Sequence, residues 1–192
     1  MRHTPPACSM AETIAETQRL ILRTWDEADI APFMAGLNTP AVMQWLGGVG
    51  DAALYRRMYE RMTACQSAHG HCFWIVERKS DAEMLGFCGI FRTDRPGTPV
   101  DGCTEIGWRL REDVWGMGYA REAAEASLTY GFGVLELERV VAFTVRQNAP
   151  SWGLMQKIGM IRARDLDHLL DGHGDALKDQ IVYKIDRGDW TQ

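Results

Sequence analysis

The chain has no C-x-x-C pair, no surplus of positive charge and no apolar run near the ~20 residues that a membrane helix requires. Its 192 residues carry 21 Lys and Arg against 26 Asp and Glu, a formal net charge of −5. A sequence-independent nucleic-acid binder needs a basic face, so that balance argues against one. An acidic surface mildly favours cationic ligands such as amines or basic peptides, through encounter rate more than chemistry. The five cysteines (Cys8, Cys65, Cys72, Cys88, Cys103) make an odd count. Cys72, Cys88 and Cys103 fall in strand-like segments, where a free thiol packs as a small hydrophobe. Met1–Thr17 has no apolar h-region and is not read as a signal peptide, so the expected compartment is a reducing cytoplasm. His69-Gly70-His71-Cys72 has no second cluster at ligand spacing, and a structural zinc wants four ligands, so no metal is expected.

The length suits one α/β domain. Residues 1–17 read as a disordered lead, with Met10 an alternative start, and residues 18–192 as a single domain. Strands are predicted at Gln18–Trp25, His71–Glu77, Met84–Arg92, Cys103–Arg111, Arg139–Arg146, Met160–Arg164 and Gln180–Ile185. Helices are predicted from Asp26, a candidate N-cap with Asp29 at N3, to Leu37, and over Thr39–Leu46 and Asp51–Ala68. Two more run from about Gly118 to Gly131 and from Pro150 to Ile158. No internal repeat appears. This order implies a mixed α/β sheet of about six or seven strands with helices on its faces. The link from Cys103–Arg111 to Arg139–Arg146 should be a right-handed parallel crossover.

The most informative stretch runs from Glu105 to Ala126. A strand ends, a turn carries Gly116 and Gly118, and a helix starts at once. Glycine accepts φ > 0 and lets a ligand approach the main chain, while a helix N-terminus adds about half a positive charge, which favours a phosphate. Ala120, Ala124, Ser127 and Gly131 share one helix face, a small-residue stripe suited to close packing on the sheet. The turn is a weak motif alone. A Rossmann reading wants a third glycine where Arg121 stands and an acid where Arg146-Gln147 stand.

A second block changes the reading. The opening T-x-R-L-I-L-R at Thr17–Arg23, E-I-G-W at Glu105 and W-G-x-G-Y-A-x-E-A at Trp115–Ala123 are followed by N-x-x-S at Asn148–Ser151 and K-I-G-M at Lys157–Met160. In that order and spacing the chain resembles the GNAT superfamily of acetyl-CoA-dependent N-acetyltransferases, in its ribosomal-protein N-terminal (Rim-type) branch.

The resemblance implies a twisted, mostly antiparallel sheet in which one splayed parallel pair holds the cofactor. It implies transfer of an acetyl group from acetyl-CoA, by direct attack in a ternary complex, to a primary amine on a protein N-terminus or a small molecule. The protein would be a monomer or homodimer. The alternative is a GNAT-fold module that binds acyl-CoA or a partner without turnover. Acetyl-CoA is expected on the main chain of Arg109, Leu110 and Arg111, on the turn Trp115, Gly116, Met117, Gly118, Tyr119 and Ala120, and at Asn148 and Ser151. Trp115 stands where the family usually has Gln or Arg.

Glu105 aligns with the family's general base, although it also fits a solvent-facing strand glutamate. Met155 occupies the position of the family's tyrosine acid, and Ser151 is the substitute the branch suggests. Ser151 also fits helix capping, and Asn148 a simple turn. Tyr119 and Tyr130 are weaker candidates for the acid. The acceptor pocket is expected at Asn38–Gly50 and Arg164–Lys178, the second rich in Asp165, Asp167, His168, Asp171, His173 and Asp175.

Overall fold

The computed structural model describes residues 11–170 and 175–191. Nine strands, β1 (Thr13–Glu16), β2 (Leu20–Arg23), β3 (Phe73–Arg78), β4 (Glu83–Arg92), β5 (Thr104–Leu110), β6 (Arg139–Val145), β7 (Ile161–Arg162), β8 (His168–Leu169) and β9 (Asp179–Asp186), form one mixed sheet. The helices are α1 (Ile30–Leu37), α2 (Pro40–Met43), α3 (Ala52–His69), α4 (Tyr119–Gly133), α5 (Ala149–Lys157) and α6 (Asp175–Lys178). The strand order is β1-β2-β3-β4-β5-β6-β9-β7, with β8 also on β9, and β5–β6 is the parallel pair in an otherwise antiparallel sheet.

Two strands exceed the sequence expectation. The segment read as disordered lead contributes β1, which pairs with β2, while residues 1–10 lie outside the described residues. Both β1 and β8 are short edge pieces held by main-chain pairing, so their side chains carry little alternation to read. The first turn after Asp26 is a 3₁₀ turn, Glu27–Asp29, closed by the Asp26–Asp29 capping box; α1 begins only at Ile30.

Alternation along β4 assigns the two faces. Phe87 stacks on Phe33 of α1 at 5.7 Å, whereas Cys88 meets Ser127 of α4 at 3.8 Å. Adjacent residues point to opposite faces, so α1 and α4 cover opposite sides of the sheet. The small-residue stripe lets α4 lie close: a Cβ at Gly131 would sit 2.5 Å from Ile90 Cδ1. Burial pushes the Cys88 thiol up to about 12, which keeps it an inert hydrophobe. His71 is likewise absorbed by the fold, its buried Nδ1 2.8 Å from the Ile90 carbonyl. Among the described residues no group of three or more His, Cys, Asp or Glu is placed to hold a metal ion, and no helix is long and apolar enough to cross a membrane.

Candidate active site

The site forms where the sheet opens. β5 pairs with β4 over seven positions, Thr104 to Leu110, but with β6 at one, Glu105 opposite Val141. Beyond that rung the parallel strands part. The register decides which main-chain groups face the gap. Arg111 donates its N–H to Leu85 O of β4 at 2.9 Å, so by strand alternation the odd residues of β5 bond to β4. The even residues, Trp108 and Leu110, present their main chain to the opening. This corrects the sequence expectation for Arg109 and Arg111, whose main chains are engaged within the sheet. The Arg111 side chain is engaged too, with Asp113 and Glu83, both at 2.8 Å.

Because β5 and β6 are parallel, their carboxyl ends lie at the same end of the sheet. After β5 comes a 3₁₀ turn (Glu112–Val114), then Trp115-Gly116-Met117-Gly118 and α4; after β6 come Asn148, Ser151 and α5. Gly116 has φ +76° and Gly118, the N-cap of α4, φ +83°. A Cβ at Gly116 would meet nothing within 4 Å, so conformation, not space, requires glycine there. The first helical bond, Glu122 N–H to Gly118 O at 3.1 Å, leaves the amides ahead of it directed out of the helix end. Trp115 and Met117 are exposed, and the Trp115 indole donates to Leu110 O at 2.9 Å, tying the turn to the end of β5.

A latch from the opening motif holds this turn. Glu122 accepts from Thr17 Oγ1 at 2.5 Å and from the Arg19 main chain and side chain at 2.9 and 2.6 Å. Arg19 also donates to Met117 O at 3.0 Å and lies 4.4 Å from the centre of the Tyr119 ring. Burial acts to raise the Glu122 pKa, but these hydrogen bonds outweigh it and hold the carboxyl below its usual range. The sequence shows both motifs, yet not that they meet. Glu122→Ala is expected to lower stability by about 1–3 kcal/mol through the orphaned donors, measured by urea melts. Unchanged stability would show that the latch carries no weight.

Glu105 sits half-buried at the rung where β6 departs. Desolvation raises its pKa to about 7, and the cations Arg95 and Arg61 only partly counter that. Such a carboxyl exchanges protons near neutrality. Sequence reasoning missed both arginines, because they come from the β4–β5 loop and from α3.

Asn148 caps α5 by position but without a side-chain cap bond; its Nδ2 instead donates to Thr144 Oγ1 at 3.0 Å. The Ser151 hydroxyl, in the first turn of α5, has no hydrogen-bond partner among the described residues. Met155 is buried in the core, and Tyr130 packs edge-on against Trp74 at 5.3 Å, on the α4 side of the sheet. Among the loop acids, Asp167 is bound by Arg162 at 2.5 and 2.7 Å and by the Val182 amide at 3.0 Å, so it is a structural residue. Asp165 is exposed. His168 packs edge-on against Phe143 of β6 at 5.7 Å. Asp171, His173 and the Asp175 side chain lie outside the described residues.

Comparison with known proteins fits this geometry. Residues 19–161 match the acetyltransferase (GNAT) domain family. The chain is 34% identical over 151 residues to the Bacillus subtilis (strain 168) protein YkkB, covering 78% of this chain and 86% of that one. It superposes on an acetyltransferase from Agrobacterium tumefaciens str. C58 with a TM-score of 0.73 and 27% identity, over 89% of this chain and 92% of that one. The ribosomal-protein-S5-alanine acetyltransferase of Vibrio fischeri shares the fold, with a TM-score of 0.72 at 14% identity over 93% and 98% of the two chains.

Proposed function

From the premise that the chain belongs to the GNAT acetyltransferase family, we propose that it transfers the acetyl group of acetyl-CoA to a primary amine by direct attack within a ternary complex. The observation that carries this reading is the single rung between β5 and β6, with a half-buried Glu105 beside it and a positive-φ glycine turn at the same end of the sheet.

The residues suit the cofactor. The main chain of Trp108 and the Leu110 N–H offer a strand edge toward the gap, the Leu110 carbonyl already accepting from the Trp115 indole, and the start of α4 offers amides to a pyrophosphate. Asn148 and Ser151 border the other side. When bound, acetyl-CoA supplies an activated thioester. Glu105, near half-ionised at neutral pH, takes the amine proton, directly or through a water, as the N–C bond forms. In this reading Ser151 Oγ returns a proton to the departing thiolate and recovers one from solvent. The products are an N-acetyl amine and free CoA thiol.

Buried Met155 in place of a tyrosine acid favours a second reading, an acyl-CoA-binding module without turnover. Thermal melting with acetyl-CoA, NAD and S-adenosylmethionine tests both. Acetyl-CoA alone should stabilise, by about 2.7 kcal/mol at ~100 times its dissociation constant. No shift with acetyl-CoA would remove both readings, while a shift without thiol release from any amine leaves the second.

A further inference from the structure

The net charge and the aspartate-rich loop suggest a cationic acceptor, but the ground around Glu105 is cationic. Arg95 leaves the β4–β5 loop and rests its guanidinium 4.5 Å from the centre of the Phe143 ring on β6. Its one opposite-charge neighbour is Glu105 on β5. Arg95 therefore lies across the mouth between the two parting strands. Its main-chain N–H goes to Asp101 at 2.9 Å, but its half-buried guanidinium has no hydrogen bond or ion pair among the described residues. Arg61 of α3, 5.1 Å from the centre of the Phe91 ring, also acts on Glu105 and also has no ion pair among the described residues. Asp29 and Glu77 are committed to Arg23 and Asp167 to Arg162, while the exposed Asp94, Asp101 and Asp165 form no ion pair among the described residues and Glu105 remains the anion that acts on Arg95.

Charge counting then separates acceptor classes. A bare ammonium entering this recess meets two guanidinium groups and one carboxyl that is protonated about half the time near pH 7. It is repelled more than it is attracted. An amine that carries its own carboxylate brings the missing anion, and the planar arginine fork takes a carboxylate through two parallel hydrogen bonds. We propose that the acceptor is an amino-acid-type compound, an amine with a carboxylate a few bonds from its nitrogen. Arg95, backed by Arg61, receives the carboxylate while the nitrogen faces Glu105. Half-buried Arg109, whose Nε has no partner among the described residues, does not share this ground. Between Glu105 and Arg109 the Phe73 ring covers Gly107, where a Cβ would lie 2.8 Å from Phe73 Cζ.

This inference rests on the reading of Glu105 as the base that faces the acceptor. Thiol release from acetyl-CoA, followed with free amino acids, their carboxamides and the corresponding decarboxylated amines, tests it directly. The free amino acids are expected to exceed their neutral-ended partners in kcat/KM by about tenfold or more. Arg95→Gln should bring that ratio close to one, chiefly by raising KM for the carboxylated acceptor. Arg95→Lys, which keeps the charge but not the fork, should restore part of it. The ratio is the readout because loss of Arg95 also alters the Glu105 environment for every acceptor. Equal or faster turnover of the amides, or a ratio that Arg95→Gln leaves untouched, overturns the carboxylate claim and leaves the acetyltransferase standing. Absence of thiol release with every amine tried, despite an acetyl-CoA melting shift, overturns both.

Discussion

Glu105→Gln is expected to cut turnover by about 10²–10⁴-fold while leaving acetyl-CoA affinity within about twofold, because the amide cannot accept the amine proton. The wild-type rate should climb with pH through about 7 as the carboxyl ionises, and that limb should vanish in the variant. Stability supplies an independent check with a fixed sign. Burial raises the folded pKa from 4.5 to about 7, so between those values the folded chain holds a proton that the unfolded chain has released. Stability therefore falls as pH rises across that window, by on the order of 3 kcal/mol. Glu105→Gln lacks that loss, so it should melt higher than wild type at pH 8 and about level with it at pH 4. A variant that keeps the wild-type rate and pH profile would take Glu105 out of the mechanism.

Gly118→Val should weaken acetyl-CoA binding by about 100-fold or more, roughly 2.7 kcal/mol. At φ +83° a β-branched residue is strained, so the N-cap must rotate and the amides of the first helical turn swing off their line. The new Cβ would also lie 3.4 Å from Arg19 Nη2, within van der Waals contact of the latch that holds Met117. Gly118→Ala, which strains the backbone with less bulk, guards against a fold defect and should show a smaller loss in the same direction. Calorimetry on folded Gly118→Val protein showing wild-type affinity would separate this turn from the cofactor.

Much of the fold was legible because seven strands and the main helices alternate or repeat with their proper periods. β1 was not, since Thr13–Glu16 is an edge strand recognised by pairing with Leu20–Arg23 rather than by its own pattern. The glycine turn was visible by spacing, and the roles of Glu105 and Ser151 only by resemblance. Main-chain direction was invisible: which residues of β5 face the gap depends on register with β4, and of the expected Arg109, Leu110 and Arg111 that register turns only Leu110 to the gap, together with Trp108. The acceptor side was hardest to read. Arg61 and Arg95 lie 44 and 10 residues before Glu105, and only folding brings them to it. The aspartates that looked like a cation receptor include one, Asp167, that serves to hold β9 and Arg162.

The lone rung between Glu105 and Val141 bears on cooperativity as well as on ligand binding. On one side of it stand five strands, β1 to β5, and on the other the remaining four. One parallel bridge couples two such blocks weakly, so their joint melting has to be enforced by side chains that touch both. Helix α4 carries such side chains: Ser127 lies 3.8 Å from Cys88 of β4, while Phe132 packs against Trp190, beyond the end of β9, at 6.2 Å. Loosening that helix would let the two blocks unfold as separate units, although neither block had lost a strand.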